Sequence, residues 1–163
     1  MKRRTGGREG AGRRPGRAAS ARNVVVRGGA ADVDPRRSEL RRPGTAAQER
    51  ARAFAIDAAR WLADDRCEDL LVLDLRGLSG VCDYFVIGTG TSDRQMRAAM
   101  EHVEQFARGR GERPYARDGA ESAAWMVLDF VDVVVHLFDA AHRQYYELET
   151  LWGDAPRVEW SAP

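Results

Sequence analysis

The chain has 163 residues and only two cysteines, Cys67 and Cys82. Two thiols make neither a disulfide framework nor a four-cysteine zinc site. Their expected state is reduced and partly buried, as in a cytosolic protein. No apolar run approaches the roughly 20 residues that span a bilayer. Near the N-terminus Val24-Val25-Val26 is the most apolar stretch, too short for the apolar region of a secretory signal. No internal repeat is present. The length suits one domain of ordinary size.

Charge is plentiful but unevenly placed. Residues 1–45 carry 13 of the 26 Lys+Arg and 4 of the 25 Asp+Glu, so the overall +1 hides a basic tail and an acidic body. An acidic domain is repelled by nucleic-acid phosphates, whose binding gains from counterion release to Lys and Arg. Its natural charged partner is a basic protein surface, toward which such a field steers encounter.

Residues 1–45 are rich in Arg, Gly, Ala and Pro and lack periodic apolar positions, which predicts disorder. Three readings of this tail compete: a nonspecific RNA-binding arm, an organelle transit segment, or an upstream extension preceding the true start. A disordered extension of no essential function is favoured. The folded part is expected from Thr45, where Thr45 and Gln48 fit a capping box. Ala51, Phe54, Ala55, Ala58 and Leu62 then fall on one helical stripe, predicting a helix over 46–64.

Asp69–Leu75 and Tyr84–Thr89 read as buried strands, with Gly77 and Gly80 turning between them. Ser92 and Gln95 form a second capping box, and Met96, Ala99, Met100, Val103 and Phe106 predict a helix over 93–108. Tyr115–Arg117, Ala124–Phe130 and Asp132–Phe138 are further strands. Asp139 caps a predicted last helix over 140–152, whose face carries Tyr145, Leu148 and Trp152; Gly153 ends it. The order α-β-β-α-β-β-β-α implies an α/β (α+β) domain over 46–155, with one mixed sheet of about five strands and helices packed on it. Residues 156–163 read as a C-terminal tail.

Several residues invite a chemical reading. Gly88-Thr89-Gly90-Thr91-Ser92 sits between strand and helix, where free N–H groups attract anions. It is not a dinucleotide fingerprint and no Gly-Lys-Ser/Thr follows, so a tight turn with a serine cap is favoured. Asp129 and Asp132 bracket a hairpin, with Asp74 and Asp83 on other strands; such carboxylates can hold two metals for nucleotidyl transfer. Turn and cap roles explain the hairpin pair equally well. His136 alternates with Val135 and Leu137 and reads as a structural histidine facing away from them. His102 and His142 read as solvated. Trp125 opens a strand after the small, polar segment 118–124; on composition alone it is a core indole, although tryptophan also anchors interfaces.

Three blocks together resemble the RsfS/Iojap family of ribosomal silencing factors: Glu68–Gln95, with Asp83-Tyr84-Phe85-Val86-Ile87-Gly88-Thr89-Gly90; Trp125–Phe138, with Asp129-x-x-Asp132-Val133-Val134-Val135-His136; and Arg143–Asp154, with Tyr145-Tyr146-Glu147-Leu148-Glu149. The resemblance spans about residues 46–155. It implies a binding protein without catalytic residues, metal or cofactor, whose fold is similar to nucleotidyltransferases but lacks their working site. It further implies docking on the large ribosomal subunit through that subunit's fourteenth universal protein. Steric exclusion of the small subunit follows, with homodimers when free and a bacterial cytoplasmic location, an organelle being the alternative. Carried over by position, Trp125 matches a partner-contacting strand tryptophan, which reverses the core reading. Glu121, Ser122 and Val127 flank it, and Asp83 and Tyr84 match the family's Asp-Tyr-Phe. The runner-up function is a metal-dependent nucleotidyltransferase-like enzyme.

Two positions depart from the family pattern. Val131 stands where many members have Gly, and a β-branched residue disfavours positive φ, so another turn is expected here. Arg117 stands where relatives often carry Glu, which weakens one contact to a basic partner.

Overall fold

A 20-residue helix, α2 (Thr45–Asp64), lays Ala51, Phe54, Ala55, Ala58, Ala59 and Leu62 on one buried stripe. The 3.6-residue period places them on a single face, and the alanines let the helix lie close to the sheet beneath. The computed structural model describes residues 35–41 and 44–161. Before α2 lies a short helix, α1 (Pro35–Leu40). After it come β1 (Glu68–Asp74), β2 (Tyr84–Thr89), α3 (Asp93–Gly109), β3 (Ala116–Asp118), β4 (Trp125–Asp129), β5 (Val133–Phe138), α4 (Ala140–Tyr146) and α5 (Leu148–Leu151).

The five strands form one mixed sheet in the order β1-β2-β5-β4-β3. Only β2 and β5 are parallel, Tyr84 facing Val133 and Thr89 facing Phe138; the other neighbours are antiparallel. One face carries Val72, Tyr84, Val86, Met126, Leu128, Val133, Val135 and Leu137 against α2 and α3. The other carries Phe85, Ile87, Trp125, Val127, Val134 and Phe138 beneath α4, α5 and the C-terminal residues. Every residue of β2, β4 and β5 is buried, as central strands covered on both faces must be.

The second capping box holds. Ser92 Oγ accepts the Gln95 N–H at 3.2 Å, and Gln95 Oε1 accepts the Thr91 N–H at 3.0 Å. Gln95 Nε2 also donates to the Asp65 carbonyl at 2.8 Å, which ties the start of α3 to the end of α2. Gly88 and Gly90 are there for space. A Cβ on Gly90 would lie 2.0 Å from Met96 Cγ, and one on Gly88 would lie 2.7 Å from a Leu70 methyl. The strand-to-helix turn is thus a packing device.

Four expectations change. At the first helix the N-cap is Gly44, at φ 105, and no side chain caps it; Thr45 is already helical. Within the stretch expected to be disordered, Pro35–Leu40 is helical because Arg37 is anchored in the body of the protein; the rest of that expectation, residues 1–34, 42 and 43, lies outside the described residues. The last helix breaks at Glu147, which adopts φ 41, so Tyr145 points outward at 80 % exposure while Leu148 is buried. Finally, residues 156–158 are not a loose tail. Arg157 bridges Leu73, the Pro156 carbonyl accepts the Asp74 N–H at 2.9 Å, and Val158 donates to Val72 at 2.9 Å. This pairing covers the otherwise open edge of β1.

Candidate functional site

Six residues carry the expected partner contacts, and the sheet sorts them into two places. Trp125 lies opposite Phe138, whereas Tyr84 lies opposite Val133. Five positions along β5 separate these, about 17 Å at the usual strand rise. Trp125, Glu121 and Ser122 therefore occupy one end of the sheet, and Asp83 and Tyr84 the other.

At the first end, Glu121 and Ser122 are exposed. They sit on a tight loop in which Gly119 has φ 82, Ala123 has φ 50, and the Ala123 N–H reaches the Gly119 carbonyl at 3.1 Å. Arg97 of α3 donates to the carbonyls of Ala120 and Glu121, pinning the loop's backbone. Trp125 follows, and here the structure corrects the expectation of an exposed indole. Its exposure is 3 %. Tyr146 of α4 lies over it at 4.6 Å between ring centroids and Phe138 at 4.8 Å. Val127, at 1 %, continues the same buried face. Both are walls of the second core rather than surface, because α4 folds back over them.

The Trp125 Nε1–H donates to His136 Nδ1 at 3.2 Å. His136 faces away from Val135 and Leu137, as its alternation requires. Burial first, and then the nearby Arg143 guanidinium, push its pKa down to about 3. The imidazole is therefore neutral, with its proton on Nε2, an atom that has no hydrogen-bond partner. Arg143 itself donates to Glu149 at 2.8 Å, to Thr89 at 3.3 Å and to the Asp69 carbonyl at 3.2 Å, fastening α4 and α5 to the strand ends. Of the two histidines expected to be solvated, His102 is exposed and His142 half-exposed, and each also meets a carboxylate, Asp65 at 2.9 Å and Asp139 at 2.8 Å.

At the other end Tyr84 is fully buried on the helix side, with its hydroxyl unpartnered, and burial raises its pKa. Asp83 is 7 % exposed and pairs with Arg41. Asp129 pairs with Arg37 at 2.9 Å, and Asp132 has Arg41 at 3.7 Å. Asp74 accepts from Arg76 at 2.5 Å; burial opposes its ionisation, but Arg76 outweighs this and lowers its pKa. All four acids weighed as metal ligands thus hold arginines. Among the described residues no three His, Cys, Asp or Glu side chains gather in a metal-binding group.

The β4–β5 turn also differs from expectation. Val131 keeps a positive φ, 75°, and the Asp132 N–H bonds the Phe130 carbonyl at 3.0 Å, closing a γ-turn around it. The strain is held by two contacts. The Val131 N–H donates to Asp129 Oδ1 at 2.7 Å, and its carbonyl accepts from Arg37 at 2.7 Å. Arg117 is absorbed internally, its guanidinium held by Glu104 of α3 at 2.5 and 2.8 Å. Both cysteines are free thiols and buried, Cys67 Sγ accepting from Gln95 Nε2 at 3.1 Å; burial raises the Cys67 thiol pKa to about 11 and also raises that of Cys82. Sequence reasoning missed Arg37 and Arg41, which nothing distinguishes from the ten other arginines of the first 45 residues.

A family model described as ribosomal silencing factor during starvation matches residues 48–163. The chain belongs to this family. It is 44 % identical over 102 residues to the Bacillus subtilis ribosomal silencing factor RsfS, covering 63 % of this chain and 86 % of that one. It is 33 % identical over 103 residues to the mouse protein named mitochondrial assembly of ribosomal large subunit protein 1, covering 61 % of this chain and 45 % of that one. A crystal structure of a Chromobacterium violaceum protein superposes with a TM-score of 0.59 at 30 % identity, covering 71 % of this chain and 92 % of that one. The mixed five-stranded sheet and its helices are thus shared with a solved structure. No helix among the described residues is long and apolar enough to cross a membrane.

Proposed function

We propose that this protein binds the large ribosomal subunit through its fourteenth universal protein and blocks joining of the small subunit by occupying space, without catalysing a reaction. Family membership over residues 48–163 carries the reading. Charge supports it. Residues 46–163 hold 13 basic and 21 acidic side chains, a negative body suited to a basic ribosomal protein. Steric exclusion needs only a folded domain in the way and a tight enough interface. Typical interfaces bury about 1,600 Å² with a few dominant anchors.

The docking rim in this reading is the exposed Glu121–Ser122 loop, held by Arg97 of α3, while Trp125 and Val127 are buried in the second core and do not touch the partner. Asp83 and Tyr84, at the far end of the sheet, are not part of the same patch. The free protein is expected to self-associate as a dimer and to act in the bacterial cytoplasm. Co-sedimentation with purified large subunits tests the rim. Glu121→Arg with Ser122→Arg should weaken binding at least tenfold while leaving the melting temperature unchanged. Wild-type affinity in that variant overturns the assignment of the rim. Failure of the unaltered chain to co-sediment overturns the function itself.

A further inference from the structure

The recess at the Asp83 end of the sheet has the form of an arginine receptor. Arg37 enters it at 2 % exposure. Its Nε and Nη2 donate to the two oxygens of Asp129 at 3.0 and 2.9 Å, a fork-to-fork pair. Nη1 donates to the Val81 carbonyl, and Nη2 also to the Val131 carbonyl at 2.7 Å. Acceptors therefore surround the planar guanidinium along its edge, a geometry that an ammonium cannot match. Four residues on, just past the end of α1, Arg41 fills a shallower position against Asp83, Asp132 and, at 3.1 Å, the Gly80 carbonyl. The recess is a built feature: the Asp132 carbonyl accepts the N–H groups of Asp83 and Tyr84 at 2.8 and 3.0 Å, joining its two walls.

The helix that carries Arg37 ends at Leu40, and Arg41 lies one residue beyond it. The helix has six residues, too few to be stable alone. Among its described side chains Leu40 is 53 % exposed and Glu39 is exposed as well. The recess lies inside the family-matched residues 48–163, and the helix lies outside them. We propose that this recess is a binding site for arginine-bearing polypeptides presenting two arginines at Arg-x-x-x-Arg spacing, and that the segment 35–41 occupies it in cis as an exchangeable occupant. A basic partner segment with that spacing takes the place of residues 35–41. The proposal does not rest on ribosome binding, and its test needs only the isolated chain.

The test uses the full chain carrying Arg37→Gln and Arg41→Gln, titrated calorimetrically with a capped peptide of residues 35–41. The double variant should bind the peptide at least tenfold more tightly than the wild type, whose site is filled. A peptide with lysine at both arginine positions should bind at least tenfold more weakly, and adding Asp129→Asn should abolish binding. No binding by the double variant, or equal binding of the two peptides, overturns the proposal. A second measurement covers a poorly folded double variant. Arg37→Ala should melt below the wild type and recover several degrees in millimolar N-ethylguanidinium, but not in ethylammonium at equal ionic strength. An equal response to both cations, or to neither, contradicts a guanidinium site.

Discussion

The two faces of the sheet are buried by different means. On the α2–α3 side the contact is helix on strand and almost wholly apolar, with Ala55, Ala58, Ala59, Leu62, Met96 and Ala99 all fully buried. On the other side the cover is short and irregular. The helix α4 has no buried residue of its own, α5 contributes Leu148, and a break at Glu147 separates them. Beneath it lies a neutral histidine with an unpartnered nitrogen, an arrangement that costs free energy. The helix side also holds one unpartnered polar atom, the buried Tyr84 hydroxyl, so the faces differ in the regularity of their cover rather than in polar satisfaction. The exposed Glu121–Ser122 loop is tied to the first side, through Arg97 of α3 and the buried Ala123.

Substitutions should show that asymmetry. Leu62→Ala, in the first core, is expected to cost about 2–5 kcal/mol in denaturant unfolding. A loss below 1 kcal/mol would mean that the helix side is not the stabilising one. The second face should respond to acid. The folded-state pKa of His136 lies below its ordinary value, so its contribution is present above pH 6.5 and is lost as pH falls from 6.5 towards about 3. By pH 5 this amounts to about 2 kcal/mol. His136→Gln keeps an acceptor for the indole and should flatten that part of the stability profile; an unchanged slope would place the acid sensitivity elsewhere.

Hydrogen exchange compares the faces without mutation. Amides of α2 and α3 should exchange only on global unfolding, and those of α4 through local opening at a lower free energy, by about 2 kcal/mol or more. Equal protection would erase the distinction. The smallest expected effect is at the turn. Val131→Gly loses a buried side chain but relieves a β-branched residue at φ 75, so its net cost should stay within about 1 kcal/mol. Val135→Gly, in extended backbone with the same side chain lost, should cost about 3 kcal/mol or more. Similar costs at the two sites would show that Val131 is not strained.

The periodic parts of this fold were legible from residues alone. The stripe from Ala51 to Leu62 and the Ser92–Gln95 cap signal α2 and α3 because local geometry repeats along the chain. The inward cover over Trp125 was not, since nothing local shows that the last helix breaks at Glu147 and that Tyr146, rather than Tyr145, lies over the indole. Nor was the separation of Asp83 from Trp125. Asp83 immediately precedes β2 and Trp125 opens β4, strands that are not neighbours in the sheet, and only the intervening β5 fixes their positions at opposite ends. Arg37 was hidden by composition, one arginine among many, until its carboxylate partner 92 residues away was placed beside it.

The proposed docking on the large subunit would prevent subunit joining. Sedimentation of mixed large and small subunits through a sucrose gradient, with the purified chain added, tests it most directly. The account predicts a smaller joined-ribosome peak, more free subunits, and the chain migrating with the large ones. An undiminished joined peak, with the chain left at the top of the gradient, would contradict it.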